Sequence, residues 1–100
     1  MGRAKISIRQ EKLVEFCQKH HIRKLSLFGS VLRDDFRADS DIDVLVEFEP
    51  DHVPGLAFFG MGQELSEILR RKVDFYTPKF LRSSIRDKVM EEAEVQYIAV

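Results

Sequence analysis

The run from Leu27 to Phe48 constrains this chain more than any other stretch. An apolar segment, Leu25 to Phe28, ends in Gly29-Ser30, and a second apolar segment opens on Asp41-Ile42-Asp43. Successive side chains of a strand point to opposite faces, so Asp41 and Asp43 share one face. Two carboxylates fixed side by side repel unless something positive sits between them. Hard oxygen ligands of this kind suit Mg²⁺, which takes one or two carboxylates and completes its shell with water and phosphate oxygens. Gly-Ser ahead of a helix offers backbone N–H groups and a hydroxyl to a phosphate.

The rest of the chain reads as elements around that run. Ser7 to His20 read as a helix, with Ser7 at the N-cap and Gln10 as its capping-box partner. Leu13, Val14, Cys17 and His21 recur at helical spacing. Lys24 to Phe28 form a strand, and Ser30 to Phe36 a short helix with Ser30 near its cap. Arg37 to Ser40 turn the chain into a strand from Asp41 to Phe48. Ile42, Val44, Val46 and Phe48 line one face of it and Leu45 the other, which makes it central in its sheet. Pro50, Pro54 and Gly55 mark a loop. Leu56 to Arg71 follow as a helix whose first half Gly60 and Gly62 weaken by up to about 1 kcal/mol each, which leaves that half either irregular or in need of a partner to order it. Lys72 to Tyr76 form a third strand, with Asp74 facing away from Val73 and Phe75. Phe80 to Glu92 form the last helix, and Val95 to Ala99 an edge strand. This order predicts an α/β (α+β) fold of one domain, residues 1–100, with a small mixed sheet flanked by helices.

Composition excludes several functions. A net charge of −1 argues against a nucleic-acid binder working by bulk electrostatics. The basic run Arg70-Arg71-Lys72, like Arg82 and Arg86, reads as a solvated face. Cys17 is the single cysteine, so no internal disulfide forms. That fits a reducing cytoplasm, and its place in an apolar stripe makes it a core residue. No stretch of about 18 apolar residues is present to span a membrane, and the N-terminus lacks a signal-peptide apolar region. His20, His21 and His52 lack the spacing of a metal cluster and read as solvated.

Gly29-Ser30, Arg33, Ser40, Asp41 and Asp43, with Asp74 on a later strand, resemble the signature of the nucleotidyltransferase superfamily related to DNA polymerase beta. Within it they are most similar to the minimal MNT-type antitoxins that accompany HEPN toxins. The resemblance runs from about Leu25 to the end of the chain. It implies a nucleotidyltransferase fold in which Asp41, Asp43 and Asp74 hold two Mg²⁺ ions. One ion lowers the pKa of an attacking hydroxyl and the other clamps the leaving pyrophosphate. It also implies ATP as nucleotide donor, a HEPN-domain toxin as protein partner and acceptor, and a prokaryotic cytoplasm. Gly29 and Ser30 would bind the β- and γ-phosphates, and Ser40 would cap the turn and orient Asp41.

Several readings stay open at this level. Arg33 either neutralises the leaving pyrophosphate or pairs with Asp35 or Asp39. Asp34 stands where many members of the superfamily carry glycine, and its charge weakens a phosphate pocket. Phe58, Phe59 and Met61 are either core or a patch facing a partner. The acceptor is either a protein, a small molecule such as an aminoglycoside, or nothing, the chain then acting by binding alone. The short chain leaves little to enclose an acceptor, which favours a separate macromolecule. The presence of all three carboxylates disfavours a degenerate site.

Overall fold

In the computed structural model, which describes residues 6–99, helix α1 spans Gln10–Lys19. Its N-cap is Arg9 and no side chain caps it, so the expected Ser7–Gln10 capping box does not form. Ile6 and Ile8 explain the delay. Both pack on the core ahead of the helix.

Four strands follow: β1 (Ile22–Phe28), β2 (Ile42–Phe48), β3 (Val73–Tyr76) and β4 (Glu94–Ile98). Their spatial order is β3-β2-β1-β4. β1 runs antiparallel to both β2 and β4, while β2 and β3 are parallel. Parallel neighbours need a long crossover, and helix α2 (Ala57–Leu69) supplies it. The sheet is therefore mixed, with β2 central and β4 on an edge, as the pattern predicted. The last helix is split. A 3₁₀ turn, Pro78–Phe80, precedes α3 (Ser83–Glu92), because Leu81 and Arg82 are extended between them.

The main core lies on one face of the sheet. Leu13, Phe16 and Cys17 from α1 and Phe58, Met61 and Leu65 from α2 meet Leu25, Leu27, Ile42, Val44 and Val46 there. Burial pushes the Cys17 thiol up to about 12, as expected for an inert core thiol. The expected irregular start of α2 is absent. Gly60 lies inside a continuous helix, and a Cβ at Gly62 would sit 3.4 Å from the Cβ of Phe75, so that glycine lets α2 lie close on β3. Phe58 and Met61 are core, but Phe59 is 74% exposed, so the alternatives for this cluster divide between its residues.

The opposite face of the sheet is covered sparsely. Phe28, Leu45 and Leu81 form a small second cluster, with Tyr76, Val89 and Ala93 packed against it. Only one end of this face is roofed by apolar residues. The end where β2 begins carries the carboxylates.

Candidate active site

Strand register brings the acidic residues together. Asp43 of β2 is paired with Asp74 of β3 on one side and with Phe28 of β1 on the other. Registered neighbours in a sheet project to the same face. Asp43 and Asp74 therefore stand side by side on the face away from the main core. Asp41, two residues before Asp43, joins them across the start of β2.

Their proximity is visible in the electrostatics. Burial pushes the Asp43 carboxyl up to about 6, and repulsion from Asp74 and Asp41 adds to it, while Arg33 opposes the rise. Tyr76, two residues past Asp74 on the same strand, has its hydroxyl pKa raised by burial and then by Asp43, Asp74 and Asp41. All three carboxylates thus act on one small volume. Among the described residues, no three His, Cys, Asp or Glu side chains are drawn in tightly enough to hold an ion as they stand.

The backbone that follows β1 is shaped around Asp43. Gly29 has φ +80, a conformation that side chains rarely adopt. A Cβ at Gly29 would overlap the Oδ2 of Asp43. The glycine is thus required twice, by its dihedral and by the carboxylate lying against it. Ser30 comes next, half-buried, inside a 3₁₀ turn (Gly29–Leu32) rather than at the cap of an α-helix. Its carbonyl accepts the Arg33 N–H at 2.9 Å. The expected helix to Phe36 stops short because Arg33 is already extended, at φ −118 and ψ 163.

Of the two readings open for Arg33, the structure forms the pair with Asp35. Its Nε lies 3.5 Å from Asp35 Oδ1 in an exposed pair, and its charge also favours ionised Asp43. The Ser40 hydroxyl accepts the Arg37 N–H at 2.9 Å and so closes the turn that leads into Asp41.

Of the basic run, Arg71 was misread as a solvated face, whereas Lys72 is exposed as expected. Arg71 donates through Nη2 to the carbonyls of Arg37 and Ser40, the latter at 3.0 Å, and its guanidinium stacks 4.3 Å from the Phe36 ring centre. It ties the 37–40 turn to the start of β3. Lys72 Nζ lies 3.7 Å from Asp41 Oδ2. A period of two from Asp74 puts Lys72 on the carboxylate face, a signal that was present in the sequence. Arg71 had no such signal, since its partners are carbonyls more than thirty positions away. His20 was also misread. It pairs with Glu64 at 3.0 Å and packs edge-on against Phe16, far from the carboxylates in the fold.

A cleft of about 780 Å³ between α1 and α2 includes none of Asp41, Asp43 and Asp74. A second, of about 630 Å³, runs beside β3 and does include Asp74 and Lys72. Chemistry therefore points to the smaller one.

Residues 10–95 match the nucleotidyltransferase domain family. This chain belongs to that family. Protein adenylyltransferase MntA of Thermococcus cleftensis is 33% identical over 79 residues, 78% of this chain and 78% of its own. A toxin–antitoxin crystal structure with AMP-PNP shares the fold at a TM-score of 0.72 and 19% identity, covering 92% of this chain and 75% of that one. A complex of tri-AMPylated Shewanella oneidensis HEPN toxin with MNT antitoxin does so at 0.63 and 18% identity, over 90% of this chain and 70% of that one. The chain is thus a nucleotidyltransferase of mixed α+β fold. Among its described residues no helix is long and apolar enough to cross a membrane.

Proposed function

We propose that this nucleotidyltransferase is a single minimal domain, residues 1–100, that transfers AMP from ATP to a hydroxyl of a HEPN-domain toxin. The observation that carries the reading is the registered pair Asp43–Asp74, with Asp41 beside it and Gly29 pressed against it. The resemblance to relatives that bear the adenylyltransferase name supports the donor and the acceptor.

The residues present fit a divalent cation. Three carboxylates are hard donors; burial first, and then repulsion from Asp74 and Asp41, lift Asp43 to about 6, and a cation relieves that repulsion. Asp41, Asp43 and Asp74 would hold two Mg²⁺ ions, which when bound lower the pKa of the attacking hydroxyl and offset charge on the departing pyrophosphate. Gly29, lacking a Cβ, lets backbone N–H groups approach the β- and γ-phosphates, and the Ser30 hydroxyl donates to them. Arg33 supplies positive charge on the same side. Ser40 and Arg71 hold the turn that aims Asp41. In the reaction the acceptor hydroxyl oxygen bonds to the α-phosphorus as its proton passes to solvent water, the bond from that phosphorus to the bridging oxygen breaks, and pyrophosphate leaves with that bond's electron pair.

The test is intact-mass spectrometry of a HEPN-domain protein co-expressed with this chain. The expected result is a gain of one or more AMP units, and no gain when the two proteins, purified apart, are mixed with ATP in the presence of a chelator. A free small molecule gaining AMP while the protein does not would move the acceptor to that class. Neutralised toxin with no added mass would leave binding alone.

A further inference from the structure

Among the described residues no strand pairs with the outer edge of β3, which lies beside the carboxylates. Lys72 gives its carbonyl to Ile42 of β2, at 2.9 Å. In a parallel ladder alternate residues turn their backbone groups to opposite sides. Asp74 therefore faces β2 with its backbone, while Val73 and Phe75 face outward. The Val73 N–H is taken by the Ser66 hydroxyl at 3.0 Å. Among the described residues nothing pairs with the N–H or C=O of Phe75. A bare strand edge is a template for another polypeptide backbone, and natural edges are usually blunted by charge, proline or a covering loop.

Here the short strand carries Asp74 and lies between Lys72 and Pro78, yet its middle, at Phe75, is left open and flanked by aromatics. Phe59 and Phe80 are 74% and 62% exposed, and both edge-stack on Phe58. They rim the groove of about 630 Å³ along β3, which continues to Asp74. Exposed aromatics clustered in this way mark an interaction surface.

Resting on the reading that the acceptor is a protein, we propose that it docks as an extended segment paired with the outer edge of β3. Register dictates what that segment must look like. A residue opposite Asp74 projects to the carboxylate face, because paired residues share a face. Its immediate neighbours project to the other face, the one α2 covers, where Phe59 and Phe80 wait. The segment therefore carries a hydroxyl residue flanked on both sides by apolar ones. Backbone pairing gives affinity and the alternating side chains give selectivity. An isolated small molecule satisfies neither the free amide nor the two-faced pattern.

The experiment uses the full chain with the co-expressed HEPN-domain protein. Phe59→Asp with Phe80→Asp, both exposed positions, should raise KM for that protein about tenfold or more, the scale of an interface anchor. ATP affinity should stay within about twofold, because no nucleotide contact is removed. Phe59→Leu with Phe80→Leu should restore most of the loss. Hydrogen exchange should show the Phe75 amide protected when the protein binds. Unchanged KM, or no added protection at Phe75, overturns the docking mode. A tenfold loss of ATP affinity with acceptor KM unchanged assigns the groove to the base and also overturns it. Self-association of the wild type that the double aspartate variant abolishes would assign the edge to a second copy. Absence of modification even by the wild type overturns the adenylyl-transfer reading, and this one with it.

Discussion

At the scale of single residues, Gly29 and Asp43 behave as one device. The glycine leaves room for the carboxylate, and its positive φ turns the chain out of β1 into the 3₁₀ turn that holds Ser30. Gly29→Ala should destabilise the fold by about 1–3 kcal/mol, the cost of holding an ordinary residue in a disfavoured backbone region. It should also displace Asp43 and depress turnover. Urea melts and initial rates check both, and an unaltered midpoint would remove the argument. Asp43 itself is under electrostatic pressure. Its folded pKa, about 6, lies above the ordinary carboxylate value of 3.8. The folded state therefore binds the proton more tightly than the unfolded one. Ionised Asp43 weakens the metal-free fold, fully so above about pH 6, and the penalty fades as pH falls toward 3.8. Asp43→Asn should thus raise the Tm of the metal-free protein by a few degrees at pH 7.5, and the gain should shrink as pH is lowered through 6 and vanish near 4. The same variant should lose transfer activity by about a hundredfold or more. A gain in Tm that is flat with pH would show that the carboxylate is not strained.

At the scale of elements, the site depends on the 37–40 turn, and the turn depends on Arg71. Its guanidinium serves two carbonyls of that turn and covers Phe36. Hydrogen bonds from a charged donor contribute about 1.5–3 kcal/mol. Arg71→Ala should cost about that much stability and raise KM for ATP, since Asp41 follows the turn directly. Arg71→Lys should recover little, because an ammonium cannot reproduce the planar fork and the stacking. Full recovery by lysine, seen in thermal melts and KM, would show that charge alone matters. What the sequence disclosed divides along the same line. β2 and β3 were legible because alternation is local, and Asp41, Asp43 and Asp74 could be placed on faces from it. Phe59 could not be separated from Phe58 and Met61, because which helix face meets the sheet is a tertiary fact. The missing Ser7 cap was overridden by burial of Ile6 and Ile8. Contacts made to distant carbonyls, as by Arg71, leave no mark in spacing at all.

At the scale of the whole molecule, the fold separates what holds it together from what reacts. Leu13, Phe16, Leu65 and the inward residues of β1 and β2 bury one face of the sheet, and the carboxylates occupy the other. Neutralising the carboxylates therefore removes no core contact and relieves repulsion. The aromatic edge at Phe59 and Phe80 belongs to neither group, so partner binding should not need a metal or a nucleotide. Asp41→Asn combined with Asp43→Asn should accordingly fold, bind the HEPN-domain protein with about the wild-type affinity, and add no AMP to it. Size-exclusion chromatography of the mixed proteins reads the first two, and intact mass reads the third. If the double variant also silences the partner's ribonuclease as well as the wild type does, inhibition comes from occupancy of the complex and the transferred AMP is incidental. If it binds yet leaves the ribonuclease active, silencing is covalent. Loss of binding itself would mean that the carboxylate end of the sheet, rather than the β3 edge alone, is part of the contact.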